Sequence, residues 1–141
     1  MGATVEQAIR TVLAADETVL AAVVGRIYPQ KAPQNADMPY LVYHRIGGES
    51  MHHLGGAAGL AYARIQIDAV STNYTTAKSL AIAVRSALHA YQGTVTVGES
   101  TLKIQSCFRD GETDGLVGPN DAGDTGVCQI SQDFQIGFTE A

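Results

Sequence analysis

The chain has 141 residues, a formal net charge of −5 and a pI near 5.2. That length suits one domain with a core large enough to need no disulfide or metal staple. Nine Lys and Arg scattered without a run exclude a phosphate-binding patch, so tight nucleic-acid binding is not expected. The first residues carry no basic region of a secretory leader, and no apolar run approaches the roughly 18 residues of a membrane span. Two cysteines, Cys107 and Cys128, make a poor disulfide framework and read as free thiols of a reducing cytoplasm.

The chain opens on a helix. Thr4 followed by Gln7 is a capping-box pair, and Val5, Ala8, Ile9, Val12 and Leu13 recur at helical spacing. Asp16 caps a second, shorter helix with Val19, Leu20 and Val23 inward, ending at Gly25. Residues 26–39 hold three prolines among polar residues and read as a loop, with Ile27 and Tyr28 to bury.

From Tyr40 to Ile46 the pattern alternates as a strand until Gly47 and Gly48 stop it. Glu49–Leu60 then reads as a glycine-rich loop with Met51, His52, His53 and Leu54 among its glycines, the kind of segment that carries interactions. Leu60–Val70 sets Ala61, Ala63, Ile65, Ile67 and Ala69 against Tyr62, Arg64, Gln66 and Asp68, which marks a sheet covered on one face. A helix follows, capped by Asn73, buried along Ala77, Leu80, Ala81, Val84 and Leu88, and closed by Gly93.

Thr94–Val97 and Thr101–Phe108 read as strands around a Gly98–Ser100 turn. Asp110–Thr125 is rich in acids and glycines, with Leu116 and Val117 as an apolar island, and reads as a long exposed loop. Val127–Thr139 is a last strand with Cys128, Ile130, Phe134, Ile136 and Phe138 inward, expected to pair with Leu102–Phe108. The order predicts a single α+β two-layer domain over 1–141. Its sheet would be mainly antiparallel and four-to-five-stranded, with helices packed on one face.

No residue pattern in the chain marks a site for chemistry. His52 and His53 are adjacent, so on extended backbone they face opposite ways and do not chelate together. The chain has no HExxH, CxxC, GxSxG or P-loop, and its acids lack the EF-hand spacing. His44, His89 and Cys107 have no sequence neighbour that would make them catalysts. The expectation is no enzyme, no cofactor and no metal. A metal-dependent hydrolase using His44, His52, His53 and the acidic 110–125 loop, and a small-ligand module on the sheet face, are the alternatives from other classes.

Several segments taken together are distinctive: RIYPQKAPQNADMPYLVYHRI over 26–46 followed by GG, LGG at 54–56, the strand ARIQIDAVS and the helix NYTTAKSLAIAVRSAL. In order and spacing they resemble the tail completion or tail terminator proteins of long-tailed bacteriophages, which also occur in gene transfer agents. The resemblance runs over nearly the whole chain and is weakest at 110–125. It implies a structural virion protein, assembled in the bacterial host cytoplasm and resident in the tail or neck. There, a usually hexameric ring of copies of the chain ends polymerisation of the tail tube protein and presents a surface to the head-completion (stopper) protein. Another neck or connector component is the nearest alternative. The expected contact residues are Met51, His52, His53 and Leu54 in one loop and Leu116 and Val117 in the other. DNA would pass through the lumen without specific binding, repelled by acidic residues.

Overall fold

The computed structural model describes residues 4–30, 37–53, 56–117 and 127–140. The elements run α1 (Val5–Ala15), α2 (Glu17–Val23), β1 (Ile27–Pro29), β2 (Tyr40–His53), β3 (Gly56–Ser71), α3 (Tyr74–Leu88), β4 (Gly93–Val97), β5 (Ser100–Val117) and β6 (Val127–Glu140). The strands form one sheet in the order β1-β2-β3-β6-β5-β4. Every neighbouring pair is antiparallel except β1 with β2, which is parallel. The class is the α+β one expected, with six strands rather than four to five.

The helices start where their caps dictate. The Thr4 hydroxyl accepts from the Gln7 N–H while the Gln7 side chain accepts from the Thr4 N–H, which satisfies two orphan donors of α1. Asp16 accepts from Val19 N–H at α2, and Asn73 accepts from Thr76 N–H at α3. The helix ends depend on backbone turns. α2 ends on Val24 in the left-handed region (φ 51°) before Gly25 (φ 79°), and α3 ends at Leu88, with Ala90 (φ 65°) turning the chain before Gly93 opens β4. Leu20, expected inward, is 43% exposed, because a helix as short as α2 buries only Val19 and Val23.

One core lies between the helices and one face of the sheet. Ile9 and Leu13 of α1 and Leu80, Val84 and Leu88 of α3 join Leu41, Ile65, Ile67, Leu102, Ile104, Ile130, Phe134 and Ile136, all at most 2% exposed. Each such side chain contributes about 1.5–3 kcal/mol relative to leaving it in water. Gln132 is a buried polar residue on this face, 1% exposed. Its amide N–H donates to the Ala81 carbonyl of α3 at 2.9 Å, which ties β6 to that helix.

Three segments read as loops contain strand. Ile27–Pro29 pairs with Leu41–Tyr43, and Arg26 Nε donates to the Pro39 carbonyl at 3.0 Å beside it. Gly47 and Gly48 do not stop β2, which continues to His53 against β3 with register shifts at Arg45/Gly47 and Ser50/His52. Glycine at a bulge lets a strand bend and go on, whereas the same residue in a turn ends it. Asp110–Val117 is the second half of β5, paired from Gly111↔Asp133 to Val117↔Val127. A long partner strand overrides local composition there.

Candidate assembly surfaces

The register puts two hairpins at opposite ends of the sheet. β3 and β6 pair from Leu60↔Thr139 to Ser71↔Cys128. The β2–β3 hairpin therefore closes beyond the last residues of β6, where His53 sits opposite Gly56. The β5–β6 hairpin narrows at the other end, where Val117 sits opposite Val127.

This arrangement separates the expected contact residues into two groups. Met51, His52 and His53 lie on the terminal stretch of β2, not in a loop, and Leu54 falls outside the described residues. Leu116 and Val117 close β5 opposite Cys128 and Val127, again on strand. The remainder of the expected acidic loop, 118–125, falls outside the described residues. The two groups do not meet within one copy of the chain.

What sequence reasoning missed is the anchoring of the β5–β6 hairpin to α3. The two bulges of β5, at Ile104/Ser106 and Arg109/Gly111, reset the alternation so that Glu112 and Asp114 stand over the helix side. There Lys78 Nζ reaches Glu112 Oε2 at 2.8 Å and Asp114 Oδ1 at 2.9 Å. The Tyr74 hydroxyl donates to Asp114 Oδ2 at 2.7 Å, and Arg109 Nη1 lies 3.1 Å from Glu112 Oε1. Lys78 Nζ also sits 5.8 Å from the centre of the Tyr74 ring. On the outer face Arg64 of β3 pairs with Asp110 at 3.0 Å.

The electrostatics follow from those contacts. Hydrogen bonds from Lys78 and then Tyr74 hold the Asp114 carboxyl below its ordinary range. Donating to Glu112 and then to Asp114 raises the Lys78 ammonium above its ordinary range. The Tyr74 phenol is raised chiefly because it donates to Asp114. Three carboxylates expected to be free in an acidic loop, Asp110, Glu112 and Asp114, are thus each paired with a cation.

The base of the β2–β3 hairpin is held differently. Arg45 Nη1 lies 3.7 Å from Glu6 of α1, and its Nε donates to the Gly47 carbonyl across the bulge at 3.1 Å. His44 stands half-buried on the outer face with its Nδ1 buried and unpartnered.

The described residues show no catalytic arrangement and no group of three His, Cys, Asp or Glu close enough to share a metal ion. Cys107 and Cys128 are free thiols, and burial pushes the Cys107 thiol up to about 12, far from a nucleophile's range. No described helix is long and apolar enough to cross a membrane.

A profile of the family described as tail completion protein gp17 matches residues 7–118, from the first turns of α1 to just past the end of β5. The chain belongs to the tail completion protein gp17 family. It is accordingly a structural protein of the virion tail. Comparison with curated protein sequences finds no match. Among solved structures, a chain of the virion of a native gene transfer agent (GTA) particle shares the fold. The TM-score is 0.72 at 19% identity, over 95% of this chain and 92% of that one. The likeness covers nearly the whole chain and shows a shared fold.

Proposed function

We propose that this tail completion protein caps the head-proximal end of a phage or phage-like tail tube as a ring. It would end polymerisation of the tube and offer its other side to the head-completion protein. The observation that carries the reading is the family match across 7–118, which takes in nearly all of the three helices and five of the six strands. The fold shared with a chain of a gene transfer agent virion supports it. The form of the domain is compatible with it too. A ring needs two different patches per subunit, and the sheet offers two different hairpins at opposite ends.

The test is light scattering of the purified chain over a range of concentrations, alone and mixed with its tail tube protein. A species of roughly six times 14.8 kDa in either sample is the expected result. A monomer in both would overturn the ring and move the assignment to another part of the neck.

A further inference from the structure

The two long strands at the flanks of the sheet are each covered over only part of their length. β1 pairs with Leu41–Tyr43 of β2, and Gln30 N–H donates to the Tyr43 carbonyl just past it. Beyond that point, among the described residues, His44–His53 has β3 on one side and no strand on the other. On the opposite flank β4 pairs with Ser100–Ile104 of β5. The chain leaving α3 then takes the next edge groups: Ala90 N–H donates to the Cys107 carbonyl at 2.6 Å, and His89 Nδ1 accepts from Arg109 N–H at 3.2 Å. From Asp110 to Val117 the edge has β6 alone, among the described residues. Bare strand edges are templates for another strand.

These two edges match in polarity. Three successive antiparallel steps separate β2 from β5, so the two strands run in opposite directions. A second copy set beside the first with the same face up therefore brings its β2 antiparallel to β5, and the ladder continues without a flip. The bare edge of β5 is also held in place rather than curled away, because Lys78 and Tyr74 grip Glu112 and Asp114 from α3. Large apolar side chains remain exposed at both flanks: Ile46 on the bare part of β2 (43%) and Phe108 just before that of β5 (50%).

We propose that the Asp110–Val117 edge of β5 takes the His44–His53 edge of β2 from a second copy as an antiparallel neighbour, so that one sheet runs from copy to copy. The inference rests on the ring reading and says which surfaces close it. The bare edges lie toward opposite ends of the sheet, and β1 and β4 block the other halves. Each copy is therefore displaced along the strand direction by the same amount, and the strands run inclined to the ring axis, as in any closed barrel. The contact is heterologous and leaves neither of these two bare edges unpaired once the ring closes.

Hydrogen exchange read by mass spectrometry tests it without any substitution, on the chain alone at rising concentration and on the chain with tail tube protein. In the ring-sized species, exchange should slow at least about tenfold in peptides covering 44–53 and 110–117 together. A ring-sized species in which neither peptide slows would overturn the edge pairing and leave the ring standing. A dimer in which only 110–117 slows would mean β5 pairs with its own copy, which also overturns it. A monomer in every sample removes both the pairing and the ring.

Discussion

The two hairpins at the ends of the sheet are built on opposite plans. The β5–β6 hairpin is fastened by side chains: Glu112 and Asp114 are gripped by Lys78 and Tyr74 of α3, and Asp110 by Arg64 of β3. The β2–β3 hairpin is fastened at its base, by Arg45 to Glu6 and to the Gly47 carbonyl, and runs outward through glycines at its bulge. The first has the means to keep a set shape, while the second has backbone freedom to adapt.

That contrast can be broken or sharpened by substitution. The largest effect is expected at Phe134, fully buried on β6 between its partners Ile65 of β3 and Arg109 of β5. Phe134→Ala should cost about 3–5 kcal/mol in urea denaturation, loosening both hairpins at once. Next come the glycines. A Cβ at Gly137 would stand 2.8 Å from Ser106 Oγ and 3.0 Å from the Tyr62 ring, so Gly137→Ala should cost about 1–3 kcal/mol. A Cβ at Gly47 meets nothing within 4 Å at an ordinary φ, so Gly47→Ala should be neutral or stabilising by up to about 1 kcal/mol. Equal losses at the two positions would contradict the bulge as drawn.

Smaller in global stability is Lys78→Met, which leaves Glu112 and Asp114 without their cation on α3. The expected outcome is faster hydrogen exchange over 110–117 with 44–53 unchanged and the melting temperature nearly so, since the pairs are partly exposed. The same clamp gives a pH signature. Asp114, with its pKa held below 3.8, stabilises the hairpin above that value and loses its effect as pH falls through the lowered pKa. Lys78, raised above 10.5, stabilises it below that value and loses its effect as pH climbs through the raised pKa. Protection factors over 110–117 should therefore form a plateau between those limits, and the Lys78→Met variant should flatten the alkaline shoulder.

Much of this architecture was legible in the residues. Thr4 with Gln7, Asp16 and Asn73 marked the helix starts because capping is local chemistry. Ile65, Ile67, Ile130, Phe134 and Ile136 marked the covered face because alternation is set by the pleat. The pairing of Leu102–Phe108 with β6 was legible from the alternation of both stretches. The outer parts of the two hairpins were not, because a partner strand and not local composition holds them. Gly47 and Gly48 read as a stop and Asp110–Val117 as a solvated loop, yet each stretch lies against a long partner strand. The clamp was hidden for the same reason, since Lys78 and Asp114 meet only once two bulges reset the register of β5. Of the expected contact residues, Met51, His52, His53, Leu116 and Val117 belong to the ends of strands rather than to loops.

The central claim is that this protein ends a tail tube. The most direct measurement is the length distribution of tubes by electron microscopy when the chain is added to its polymerising tail tube protein. Shorter tubes of fixed count, each bearing one ring at a single end, are the predicted result. Tubes that keep lengthening at the same rate with both ends bare would contradict it.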